Sequence, residues 1–68
     1  MVEVGSIYYM VMPHATGFAV ESMYCSDQYE ADTANYYNSF CFESKSEAEA
    51  LELALQEAMD NHFLSDPS

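Results

Sequence analysis

Aromatic and β-branched residues run together in the first third of the chain, and apolar positions recur at threes and fours in the last third, so strands are expected first and a helix last. Ser6-Ile7-Tyr8-Tyr9-Met10-Val11-Met12 is rich in aromatic and β-branched residues and is closed by Pro13, which cannot donate to a ladder; a first strand ending there is expected. Pro13-His14-Ala15-Thr16-Gly17 reads as a hairpin loop, and Phe18-Ala19-Val20-Glu21-Ser22-Met23-Tyr24-Cys25 as the returning strand. Ser26 to Asn35 has neither period two nor a helical apolar face, and reads as a long acidic connection with room for a short helical turn. Tyr36 to Glu43 resumes strand character, with Tyr36, Asn38, Phe40 and Phe42 on one face and Phe40 and Phe42 expected in the core.

Ser44 and Ser46 each have a glutamate three residues on, Glu47 and Glu49, so either can close a capping box. Ala48, Leu51, Leu55, Ala58 and His62, flanked by Ala54, Met59 and Phe63, form the stripe that packs such a helix on a sheet. Asp66-Pro67-Ser68 reads as a fraying end. The expected fold is α+β: a three-stranded antiparallel sheet in the order β-β-β-α, one amphipathic C-terminal helix covering one face and the other face partly open.

Length fits this economy, since 68 residues allow one domain, spanning 1–68, with a compact core. Half the residues are apolar, too many for a disordered chain. Charge changes the picture more. Twelve acidic residues face a single base, Lys45, giving a formal net charge of -11. Direct binding to DNA, RNA or an anionic membrane needs the Lys and Arg that are missing here, so a basic partner is expected instead. The N-terminal segment lacks a positive region, and its apolar run stops at Pro13, which points to a cytoplasmic protein. Cys25 and Cys41 read as reduced thiols, with a single bridge as the alternative.

Candidate binding residues follow from spacing. Glu49, Glu52, Gln56 and Asp60 recur at threes and fours, which sets their heads about 5 to 6 Å apart along a helix and imitates a row of phosphates. Glu47 and Glu57 adjoin them, and Asp27, Glu30 and Asp32 add acid from the connection. A solvated helix face is the competing reading, but Glu57 and Asp60 sit near a helix C-terminus whose dipole disfavours them. Of the six tyrosines, Tyr29, Tyr36 and Tyr37 are the interface candidates, and about half of the set is expected to line the sheet.

His14, Cys25, Cys41 and His62 lack metal-ligand spacing, and Asp27, Glu30, Asp32 and Asn35 lack the glycine and terminal glutamate of a calcium loop. No catalytic set is recognisable, and no cofactor is expected. The expected activity is binding rather than catalysis, with homodimerisation through the open face or a strand edge as a further possibility.

In size, charge and lack of catalytic residues the chain resembles the small acidic inhibitors carried by phages, including DNA-mimicking anti-restriction and anti-CRISPR proteins. Gly17-Phe18-Ala19-Val20, then Phe40-Cys41-Phe42-Glu43-Ser44-Lys45-Ser46-Glu47-Ala48-Glu49-Ala50 and the helix after it, are similar to the β-β-β-α half of HicB-like antitoxins, over about two thirds of the chain. Both resemblances imply occlusion of a basic nucleic-acid-handling protein: a defence complex or nuclease in the first case, a toxin RNase in the second.

Overall fold

The structure, a computed structural model, describes residues 1–64, with side-chain surroundings given through Asn61; the expected fraying end and the packing of His62 and Phe63 lie outside that description. Five elements follow one another: β1 (Ile7–His14), β2 (Gly17–Tyr24), α1 (Gln28–Tyr36), β3 (Cys41–Phe42) and α2 (Lys45–Leu64). The strands form one antiparallel sheet in the order β2-β1-β3, as the α+β reading expects. Among the described residues no helix is long and apolar enough to cross a membrane.

The hairpin forms where the pattern places it, but Pro13 lies inside β1, opposite Phe18, rather than ending the strand. Val11 donates its N–H to the Phe40 carbonyl at 2.9 Å, so odd residues of β1 turn their N–H groups toward β3. Pro13, two residues on, turns the same way beyond the end of β3, where a missing donor breaks no ladder bond.

The segment read as a connection is helix α1. Asp27 caps it with extended backbone, its carboxylate accepting the Glu30 N–H at 2.8 Å. Glu30 reaches back in return, accepting from the Ser26 N–H at 3.1 Å and from the Ser26 hydroxyl at 3.0 Å. This is a capping box shifted by one residue. The expected strand over Tyr36–Glu43 shrinks accordingly: Tyr36 ends α1, residues 37–40 turn, and only Cys41 and Phe42 pair with β1. Phe40 is therefore 44% exposed instead of in the core, Phe42 is half-buried, and Cys41 is the buried residue of that strand.

Alternation along the strands assigns each face its helix. Tyr8, Met10, Met23 and Cys41 share one face and pack with Ala31 and Ala34 of α1, together with Val2 and Cys25. Tyr9, Val11, Val20 and Phe42 share the other, which α2 covers from Ala48 onward. Small residues on the helices let them approach the sheet closely, so Tyr8 can be 3% exposed in so small a core.

α2 starts as expected but without the expected cap. Ser44 offers its carbonyl to the Ala48 N–H at 3.2 Å, while its hydroxyl pairs with that of Ser46 at 2.8 Å. The packing stripe is also rotated. Ala48 is buried and Leu51, Glu52, Leu55, Gln56 and Met59 are half-buried, whereas Ala54 and Ala58 are exposed. Gln56 explains the rotation, because its amide oxygen accepts the Phe18 N–H at 3.3 Å and fills the space beside Gly17, where a Cβ would collide with it.

Two further ties hold the N-terminal segment. The Asn35 side chain accepts the Val2 N–H at 2.8 Å and donates to the Val2 carbonyl at 3.0 Å. Gly5 turns the chain with φ +87, a left-handed value suited to the third position of the turn that Ser6 closes on the Glu3 carbonyl at 3.2 Å.

Candidate functional site

The acids are almost all on the surface. Among the described residues only Glu30 and Glu52 are even half-buried, and no charged side chain is fully buried. Internal pairing absorbs little of the charge: the Met1 ammonium pairs with Glu43, and His14 Nε2 lies 3.5 Å from Glu21. Asp27, Glu30, Asp32 and Asp60 accept local hydrogen bonds, and among the described residues Glu3, Glu47, Glu49, Glu52 and Glu57 have no partner within the chain.

The expected site residues divide between two facades. Asp27, Tyr29, Glu30, Asp32, Tyr36 and Tyr37 belong to α1 or its caps, on one side of the sheet, and Glu47, Glu49, Glu52, Glu57 and Asp60 belong to α2, on the other. Tyr29 and Tyr36 are 81% and 80% exposed and stand seven residues apart, two turns of the same helical stripe, with Asp32 and Thr33 between them. Tyr37 meets Tyr36 edge-on, with ring centroids 5.0 Å apart. These rings are presented to solvent rather than used in the sheet.

Glu30 differs from the other candidates. Besides its capping bonds it accepts the Tyr8 hydroxyl at 3.3 Å, so it links α1 to the core as much as it faces outward. Burial pushes the Tyr8 phenol up from its ordinary range, and the Glu30 carboxylate, as charge and as acceptor, pushes it further. Of the α2 stripe, Gln56 is spent on β2 and hydrogen-bonds Asp60 at 3.3 Å, so Glu49, Glu52 and Asp60 flank the β2 side of the sheet instead of pointing straight away from it.

Cys25 and Cys41 are both buried and unpaired. Burial raises both thiols, and the negative charges of Glu30 and Asp27 add to the effect at Cys25. They are held as thiols, the opposite of the thiolate that nucleophilic or metal chemistry uses. Among the described residues no group of three or more His, Cys, Asp or Glu gathers as a metal site.

One feature escaped the sequence reading. β3 is so short that β1 is unpaired on that edge beyond Val11, and a hollow of about 470 Å³ opens there between Met10, Met12, Pro13, Phe18, Tyr37 and Phe40. The exposed Phe40, read as a core residue, was its available signal. The chain matches no protein-family model, and no curated protein or solved structure is significantly similar to it.

Proposed function

We propose that this chain is a binding protein rather than an enzyme, and that it blocks nucleic-acid binding by occupying the basic surface of a cytoplasmic defence complex or nuclease, as anti-restriction and anti-CRISPR inhibitors do. The observation that carries the reading is the unspent charge: a net -11 of which only two contacts among the described residues are internally compensated. A small domain gains nothing in stability from such an excess, whereas a basic partner turns it into attraction and fast, steered association. Because the acids occupy opposite facades, a cleft or channel that surrounds the domain fits better than a flat patch. Tyr29, Tyr36 and Tyr37 supply ring faces for Arg guanidinium groups on the α1 side.

A second reading has its own observation. The apolar hollow beside Phe40 suits an interaction module of the HicB-like antitoxin kind, held to its toxin mainly by apolar contact, with the acids serving solubility. Two variants separate the readings once a partner is in hand: Glu49→Lys with Glu57→Lys and Asp60→Lys on α2, and Asp32→Lys with Tyr36→Ala on α1. Charge occlusion requires each to weaken binding at least tenfold at low salt, the loss from the α2 variant shrinking as salt rises. Unchanged binding by both folded variants overturns it.

A further inference from the structure

The two edges of the sheet are not equivalent. Along β1 the outward N–H groups run into Pro13, which has none, and Phe40 already occupies the Val11 donor, so a strand cannot be added there. Along β2 the register exposes a different row. Cys25, an odd residue, gives its N–H to Ser6 in line with β1, so the even residues of β2 turn theirs away from the sheet. The Phe18 N–H is taken by Gln56. Among the described residues nothing accepts the N–H groups of Val20, Ser22 or Tyr24.

We propose that the open edge Val20–Tyr24 takes an extended segment of a basic partner as an added strand, its side chains alternating apolar and basic. This rests on the reading above that the partner is basic. Backbone pairing gives the segment its hold, and the two faces give it a pattern. On the α2 side a hollow of about 330 Å³ lined by Ile7, Tyr9, Val20, Ser22 and Lys45 leaves room for the apolar side chains of the segment against Ile7, Tyr9 and Val20. On the α1 side Glu21 is exposed and accepts Lys or Arg. Glu49 and Glu52 lie on the α2 stripe that Gln56 anchors beside β2, which extends the negative field along the edge. A second copy of this chain fits poorly, since it brings another -11 and its own Glu21 to the pairing.

The test uses a ten-residue peptide of alternating valine and lysine, and the same peptide N-methylated at every residue so that charge and side chains are kept while neither edge retains a backbone donor. The full chain should bind the first, and N-methylation should weaken binding roughly tenfold, about the worth of one or two hydrogen bonds. Ser22→Pro, which removes an outward N–H and no ladder donor, should weaken it similarly, with Ser22→Ala unchanged. Equal binding of the two peptides overturns the edge proposal and leaves the basic-partner reading standing. So does undiminished binding by a Ser22→Pro variant shown to be folded by circular dichroism. Self-association of the free chain in sedimentation, abolished by Ser22→Pro, assigns the edge to a second copy and also overturns it. Failure of both peptides to bind at low salt removes the basic-partner reading as well.

Discussion

Replacing Asn35 by alanine severs the N-terminal segment from α1. The side chain makes two partly buried hydrogen bonds to one residue, accepting from the Val2 N–H at 2.8 Å and donating to the Val2 carbonyl at 3.0 Å. Each is worth about 0.5 to 1.5 kcal/mol net, so removing both costs about 2 kcal/mol, and more where the Val2 groups stay buried without partners. Val2 is itself part of the core cluster, 5% exposed beside Ala31 and Ala34, so its release also exposes apolar surface. In a domain of this size about 1 kcal/mol shifts Tm by roughly 4 to 8 °C, so Asn35→Ala should melt roughly 10 °C lower. Thermal and urea unfolding followed by circular dichroism reads the loss, with Asn38→Ala, at an exposed position in the turn after α1, as the control. Hydrogen exchange adds a local readout: the Val2 amide should lose its protection before the β1–β2 ladder does. A Tm within about 2 °C of the parent would mean that the clamp contributes nothing and that α1 is held by Ala31, Ala34 and Glu30 alone.

Asp27→Ala removes the α1 cap and should cost about 1 kcal/mol, measured as a lower urea midpoint with an unchanged slope. Tyr8→Phe deletes the hydroxyl donated to Glu30 and should cost a similar amount, and a stabilised variant would contradict the role given to that contact. Gly17→Ala drives a Cβ into the Gln56 amide and should free the Phe18 N–H, visible as faster exchange at Phe18 together with a fall in Tm. The thiols of Cys25 and Cys41 and the Tyr8 phenol are all raised in the folded state, so their contribution is complete below their unfolded values and is lost as pH rises through the folded ones. Stability should therefore decline above about pH 9, first through the cysteines and then through Tyr8, and a thiol reagent at pH 8 should label the native protein only as fast as it opens. An alkaline-stable fold with freely reactive thiols would contradict that burial.

The hairpin was legible from its aromatic and β-branched runs on either side of a proline- and glycine-bounded loop, and α2 from apolar positions recurring at threes and fours. Helix α1 was not, because it buries only Ala31 and Ala34 and presents Tyr29, Asp32 and Tyr36 to water, leaving no apolar stripe strong enough to read. Its signal is the cap, Asp27 followed three residues later by Glu30, the same spacing of cap and glutamate that Ser44 and Ser46 show. Overextension of the third strand has the same origin. Tyr36, Tyr37 and Phe40 favour strands only where a half-buried pleated surface receives them, and here Tyr36 and Tyr37 sit at the end of a helix while Tyr37 and Phe40 line an open hollow. Ser44 misled in the opposite sense, since Ser46 captures its hydroxyl before the helix N–H groups can. For the site, composition identified the acids but could not place them on opposite facades, because that depends on which sheet face each helix covers. It also could not separate Glu30 and Gln56, which serve the fold, from carboxylates free to meet a partner.

Charge occlusion is tested most directly by immobilising the full chain, passing bacterial lysate over it and eluting with a salt gradient, then challenging the retained protein with DNA and with RNA. The account predicts one basic nucleic-acid-handling protein or complex, released at moderate salt, displaced by nucleic acid, and not retained by the α2 charge-reversal variant. A partner that is not basic, stays bound through high salt and ignores nucleic acid would contradict it.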